Sequence, residues 1–442
     1  MNSSAFDHTS DTPNTLANEA TGPSAGRIDR RSLLRGGLSL GLLSSLSGCV
    51  TASGKTTGLP TSQHGTKPMF PTEADVRAIA GKAVGTVLRK DRIATSLKNT
   101  TAWRVEYVSR DVHGKSQRVS GIVMAPNGGR ANRPVLSWCH GTTGIGDAGC
   151  PSAQRDPARE LSTYFEADSD AQIDYGVAGA QRFLDAGWIV CATDYQGLGS
   201  PGMHQYTVNR SNARDGLTLV HAVRNMNLGA GTQVGCVGWS QGGGAAVTVA
   251  ELDAEDFGDL KLVGVVGMSP GVAKFGLMDP TGVGTALKNP NVPPDSHLVM
   301  LLCGHAAANP DLRLSDVFTP LGEQIVLTAW NRQPVHHIND TIGRLFRFRG
   351  PILKSKMENF ARWEAAIMAG SGGQKRPIAP VLVCIDGFMG GTAVPVPWQR
   401  AYIAAAEKLG GSITTREYPK DDHFSLPGSS IGECFAWLNA RL

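Results

Sequence analysis

Charge is what this sequence has least of. Only 18% of its 442 residues are charged and the formal net charge is +4, so no basic face of the kind that grips nucleic-acid phosphates is expected. The apolar run Gly36–Leu46 falls short of the roughly 20 residues needed to span a bilayer. The sequence shows no repeat period, although its 54 glycines suit a loop-rich α/β chain. The eight cysteines include no C-x-x-C pair and no cysteine–histidine spacing typical of zinc, so no metal site is expected. At this length the chain exceeds one average domain and can bury a sizeable core.

What is present begins with an address. Residues 1–26 are polar and poor in large apolar side chains, a disordered composition. Arg30-Arg31-Ser32-Leu33-Leu34-Arg35, the short apolar run and Ser47-Gly48-Cys49 follow in the order of an export signal. The paired arginines resemble a twin-arginine signal. Leu46-Ser47-Gly48-Cys49 resembles a bacterial lipobox, in which Cys49 would be lipidated and become the mature N-terminus. The alternative is an ordinary signal whose cleavage region contains a cysteine. Either way an exported protein is expected, envelope-anchored or secreted, with the membrane surface as a partner in the lipidated case. Residues 50–75 read as a flexible tether, and 76–442 as the folded domain. Cys191, Cys236 and Cys384 sit in apolar, strand-like runs as small buried hydrophobes. Cys150 and Cys303 lie in less regular stretches and are expected to form a disulfide in an oxidising compartment. The His336-His337 doublet reads as a solvated loop.

The stretch with most chemical content is Gly238-Trp239-Ser240-Gln241-Gly242-Gly243-Gly244. An apolar run, Thr232–Gly238, precedes it as a short buried strand, and Ala245–Ala250 follows as a buried helix. Strand, G-x-S-x-G and helix form the context of a nucleophile elbow. Glycines beside the serine let the backbone take positive φ or approach a neighbour closely. The serine hydroxyl would then stand at a helix N-terminus, where free N–H groups favour a developing negative charge. Earlier, Pro134–Cys139 reads as a buried strand entering His140-Gly141-Thr142-Thr143-Gly144. A loop of this kind before an elbow supplies one backbone N–H of an oxyanion hole, and the residue after the nucleophile supplies the other. The donors here would be Thr142, with Thr143 as the alternative, and Gln241.

Strand-like Trp103–Ser109, Gln117–Ala125, Trp188–Thr193, Lys261–Met268, Ala379–Asp386 and Ser412–Tyr418 alternate, after the first two, with helical patterns. The helical stretches are Gly176–Ala186, Ser211–Asn227, Trp398–Leu409 and Gly432–Leu442. That alternation implies a mostly parallel, doubly wound sheet. From Gly271 to Arg376 it breaks, over too long a stretch for a plain loop. A mainly helical cap, including Lys354–Ala369, is expected there. Ser240 needs a base and an orienting acid in the chain order Ser, Asp/Glu, His. Past residue 337 the histidine is His423, directly after the last strand. Between Glu364 and Glu407 the acid is Asp386, at a strand end. Asp421 and Asp422 lie too close in sequence to His423 to reach it easily.

Gly85-Thr-Val-Leu-Arg89, Ser137–Gly144 continuing to Cys150-Pro-Ser152, Thr193-Asp-Tyr-Gln-Gly-Leu-Gly199 and Gly238–Gly243 together resemble the secretory lipase family, the lipase A type of α/β-hydrolase. The resemblance covers about residues 80–442. It implies a triacylglycerol lipase or carboxylesterase acting on an ester or lipid, with a helical cap over an acyl-binding tunnel and no cofactor. It makes Ser240 the nucleophile, His423 the base, and Thr142 with Gln241 the oxyanion donors. The chain departs from the family at the acid. The family writes a glycine, an Asp three residues on, then Val-Pro; here Gly387 leads to Gly390 at that position, and Val394-Pro395 comes one residue late. Asp386 precedes the glycine. Two further readings stay open: transfer of the acyl group to an alcohol, and a non-catalytic binding protein on the same fold.

Overall fold

The period-2 alternation of the strand candidates becomes two cores, one on each face of a single sheet. The structure, a computed structural model, describes residues 67–167, 169, 171–278, 293–391 and 393–442; the export-signal residues, Cys49 and most of the expected tether lie outside them. In chain order the strands are β1 (Val87–Ile93), β2 (Thr100–Arg110), β3 (Ser116–Pro126), β4 (Arg133–Cys139), β5 (Ile189–Thr193), β6 (Ala230–Trp239), β7 (Lys261–Met268), β8 (Val381–Asp386) and β9 (Ile413–Tyr418). The described helices are α1 (Glu73–Ile79), α2 (Ala180–Asp185), α3 (Asn209–Asn225), α4 (Gln241–Val249), α5 (Ala254–Phe257), α6 (Ala273–Met278), α7 (Ser296–Ala308), α8 (Pro320–Ala329), α9 (Val335–Arg349), α10 (Phe360–Gly370), α11 (Val396–Lys408) and α12 (Leu426–Asn439).

The strands lie in the order β1-β2-β3-β5-β4-β6-β7-β8-β9. Pairing is antiparallel from β1 through β5 and parallel from β5 to β9. This is an α/β-hydrolase sheet. From β4 the chain steps to β5 on one side and then to β6 on the other, so a topological switch opens at the C-terminal ends of the central strands. Along β8, Val381, Val383 and Ile385 point into the core beneath α3, α4 and α11, while Leu382 and Cys384 point into the core beneath α2 and α12. Such strict alternation is what a strand covered on both faces requires. A third cluster gathers Leu298, Met300, Phe318, Trp330, Ile338 and Trp363 from the stretch between β7 and β8, whose described elements are helical.

Most strand boundaries agree with the sequence reading to within a few residues, and β7 agrees at both ends. Strand β1 and helices α1 and α5 escaped it. Strand β1 is an edge strand that carries four consecutive charged residues, Arg89 to Arg92, a common protection against unwanted pairing. Helix α1 begins inside the expected tether, started by a capping box between Thr72 and Asp75. The chain is already bound before it: Met69 O accepts from Met203 N at 2.8 Å. Helix α12 starts earlier than expected because Pro427 sits in its first turn, where no N–H is needed.

Two expectations are corrected. His336 and His337 belong to helix α9, and the His336 ring stacks on Tyr164 with centroids 3.4 Å apart. Cys150 and Cys303 are not bonded; both are buried free thiols, and they sit in different cores. Their less regular sequence settings suggested a pair, but tertiary packing buried them in separate clusters. The sulfurs of Cys384 and Cys434 lie 3.6 Å apart and those of Cys139 and Cys236 3.9 Å apart, also as free thiols.

Candidate active site

The elbow is built by close approach. Ser240 sits between β6 and α4 with φ 60° and ψ −120°, a conformation that L-residues avoid unless surroundings enforce it. The glycines around it keep negative or extended φ and serve contact instead. A Cβ on Gly238 would stand 2.0 Å from Gly242 O, and one on Gly242 1.9 Å from Cys139 O. The strained turn is therefore clamped against the end of β4. Ser240 N donates to Met268 O at 2.9 Å, and Gly271 N donates to Ser240 O at 2.8 Å. Helix α4 starts at Gln241, so its first N–H groups have no carbonyl partner within the helix.

The Gln241 side chain is anchored below. Its amide Nε2 lies 2.7 Å from His204 Nε2, and His204 Nδ1 lies 2.8 Å from Gln196 O. Burial drops the His204 pKa to about 3. The neutral ring therefore donates from Nδ1 and accepts at Nε2. On the other side, Thr142 Oγ1 and Tyr206 OH lie 2.8 Å apart. Val335 N donates to Thr143 O, and Ala148 N to Asn331 O. Segment 330–335 of the helical insertion is thus stitched to the loop carrying Thr142. Lys67 pairs with Asp147 on the same loop at 2.5 Å.

His423 follows β9, and its carbonyl accepts from Trp239 Nε1 at 2.9 Å. Its Nδ1 lies 3.4 Å from Asp386 Oδ2 and 3.2 Å from Ser269 Oγ. Asp386 is fully buried at the end of β8. Gln399 of α11 donates to its Oδ1 at 2.7 Å. Burial pushes the Asp386 carboxyl up, but His423, Gln399 and Ser269 together outweigh burial and hold it below the ordinary carboxylate range. Gly390, at the position where the family pattern puts its acid, is exposed at a loop tip with φ 80°. Asp422 is occupied in capping, accepting from Phe424 N and Ser425 N, and Asp421 accepts from Ser429 Oγ at 2.6 Å. Ser240 is 8% exposed and His423 3%, so the group lies beneath the surface.

A sequence model of the secretory lipase family matches residues 167–274. Among solved structures, Candida antarctica lipase A in its closed state superposes with TM-score 0.63 at 14% identity, covering 84% of this chain and 85% of that one. A variant of the rice cell wall degrading esterase LipA from Xanthomonas oryzae superposes with TM-score 0.61 at 18% identity, covering 81% of this chain and all of that one. A putative hydrolase from Legionella pneumophila superposes with TM-score 0.57 at 14% identity, covering 80% of this chain and 97% of that one. No curated protein matches the sequence. The family match takes in about a quarter of the chain, including the Ser240 turn. Like the lipase and the esterase, the chain carries the α/β-hydrolase fold.

Sequence reasoning brought Ser240, Asp386 and His423 to the same end of the sheet but missed Ser269 and Gln399. Gln399 had no sequence signal, being one polar residue in a helix that follows the acid. Ser269 had a weak one: Ser-Pro-Gly directly after an apolar strand, at the end of the sheet where ligands bind.

Proposed function

We propose that the protein is an exported serine carboxylesterase or lipase acting on acylglycerol-type esters through an acyl-enzyme. The observation that carries this reading is the strained Ser240 at the head of α4, with His423 and Asp386 paired at the same end of the sheet. The family match and the lipase and esterase neighbours support an ester hydrolase. In this reading Ser240 Oγ attacks the ester carbonyl and His423 Nε2 takes its proton. The oxyanion receives hydrogen bonds from the N–H groups of Gln241 and Thr142. The alcohol leaves with the proton that His423 returns, and water repeats the sequence to release the acid. Asp386 keeps the Nδ1–H tautomer in place and stabilises the imidazolium. Its pairing with His423 weighs against a binding-only protein, because the one motive for that reading was a displaced acid.

Export through the Arg30-Arg31 signal, lipid attachment at Cys49 and the cap as a division of the domain belong to the same proposal. The test is a fluorophosphonate on the purified protein, with peptide mapping of the label. Label on Ser240, lost in Ser240→Ala together with hydrolysis of a short-chain p-nitrophenyl ester, is expected. An unlabelled Ser240 in a protein that still hydrolyses the ester would overturn the mechanism. Intact-mass analysis of the mature protein reads the N-terminus: a diacylated Cys49 supports the anchor, and any other first residue refutes it.

A further inference from the structure

Four hydrogen bonds of the site meet on residues 268–271, at the end of β7 and just beyond it. Met268 O takes the Ser240 N–H, Ser269 N donates to Cys384 O at 2.8 Å, Ser269 Oγ faces His423 Nδ1, and Gly271 N donates to Ser240 O. The segment therefore touches the nucleophile's turn, the strand that ends in the acid, and the base. Helix α4 is shaped to admit it. A Cβ on Gly243 would lie 2.7 Å from Met268 O and 2.9 Å from Pro270 Cα, and one on Gly244 would lie 2.1 Å from Gly271 O. The second and third glycines of the Gly242-Gly243-Gly244 run thus make room for this neighbour. Ser269 itself is fully buried and holds φ 46°, a positive φ that a non-glycine residue keeps only when its surroundings insist.

The geometry at the imidazole is shared. For Nε2 to act as a base, the ring proton must sit on Nδ1. From there it meets Ser269 Oγ at 3.2 Å and Asp386 Oδ2 at 3.4 Å. Neither approach is short, and Asp386 Oδ2 makes no hydrogen bond within ordinary geometry. Gln399 occupies the other carboxylate oxygen. A hydroxyl can accept the Nδ1 proton while its own hydrogen turns to the carboxylate, and Ser269 is among the groups that hold the Asp386 carboxyl down.

We propose that Ser269 is a positioning residue for His423, holding the Nδ1–H tautomer jointly with Asp386 from the neighbouring strand. The inference rests on the Ser240–His423 mechanism above and adds a fourth side chain to it. It makes Asp386 less indispensable than a lone acid, because Ser269 still accepts Nδ1–H when the carboxylate is lost. It also places a second strand end where a carboxylate would work.

The experiment compares the parent with Ser269→Ala, Asp386→Asn, the double variant Asp386→Asn/Ser269→Ala, and the relocation variant Asp386→Asn/Ser269→Asp. Rates are per active site, counted by fluorophosphonate burst, so misfolded protein drops out. Ser269→Ala is expected to lower kcat by about 10-fold with KM within twofold, since it touches the base and not the substrate. Asp386→Asn/Ser269→Ala is expected to fall at least 10-fold below Asp386→Asn. Relocation is expected to recover at least 10-fold over Asp386→Asn. A hydroxyl that only fills space predicts a shifted Tm, an unchanged kcat per site and no recovery on relocation; that result overturns the inference. If Ser269→Ala does not fold, the relocation variant decides. A parent without Ser240-dependent turnover overturns the mechanism and this inference together, whereas an active parent indifferent to residue 269 overturns this inference alone.

Discussion

The turn after β6 and the turn after β8 hold two ends of the proposed catalytic chain in opposite ways. Around Ser240 the backbone itself is the device. Gly238 and Gly242 meet main-chain atoms at distances no Cβ tolerates, and the serine is left in a strained conformation with its amide and carbonyl both bound. At Asp386 side chains do the holding, and the positive-φ residues of that turn, Met389 to Gly391, lie beyond the acid. Gln399 comes from α11, Ser269 from the end of β7 and His423 from beyond β9. The loop after Asp386 runs out to an exposed tip, with Met389 82% exposed. A backbone device cannot move without breaking the fold. A side-chain device tolerates a longer loop and a relocated acid, which is how this chain departs from the family pattern at Gly390 and still pairs an acid with His423.

The sharpest break is expected at the backbone end. Ser240→Ala should lower ester hydrolysis by about 10⁵-fold or more, leaving only binding and the oxyanion donors. A variant keeping a tenth of parental kcat would show that the strained turn serves something other than nucleophilic attack. At the side-chain end the loss should be smaller. Asp386→Asn is expected to cost about 10³-fold in kcat, less than the ~10⁴ seen where a single acid supports the histidine. A loss within threefold would remove Asp386 from the mechanism.

Stability measurements probe the same contrast without substrate. Gly242→Ala puts a methyl into main-chain oxygens 1.9 and 2.4 Å away, so a loss above about 3 kcal/mol, or no folded protein, is expected in urea titrations. Gly390→Ala meets nothing within 4 Å and only its positive φ resists, so about 1 kcal/mol is expected. Equal effects would erase the distinction between the two turns.

A control comes from a buried acid outside both. Asp174 accepts from Tyr164 N at 2.8 Å, and burial, helped by Glu166, raises its pKa to about 7 from 3.8. The folded state then keeps a proton that the unfolded chain releases above about pH 4. This contribution is fully present below that pH and is lost as pH rises through 7. Asp174→Asn should therefore be more stable than the parent at pH 8, by up to about 4 kcal/mol, and the advantage should vanish by pH 4. Thermal unfolding at both pH values decides, and an advantage that grows as pH falls would reverse the sign argued here. The smallest effect is expected for the thiols. Non-reducing peptide mapping should find Cys150 and Cys303 unlinked, since they belong to separate cores.

How much was legible depends on how local the cause is. The elbow could be read because strand, tight turn and helix are contiguous and each leaves its own pattern: apolar run, glycines, small apolar run. His423 and Asp386 could be read because chain order in this architecture leaves few candidates. The T-x-x-D box starting α1 was readable too, but its polar, proline-containing surroundings made a tether the simpler reading.

By itself, then, the sequence determined where the tight strand–turn–helix around Ser240 stands, which strands are covered on both faces, and that a helical insertion interrupts them. These follow from periodicity and from backbone sterics, which act over a few residues. Only the tertiary structure decided that Gly242 is required by Cys139 O rather than by its own φ, that Cys150 and Cys303 are buried apart, and that Ser269, Asp386 and Gln399 converge around His423. Those outcomes depend on which strand lies beside which. Strand neighbours are chosen by burial summed over the whole sheet, which no single segment encodes.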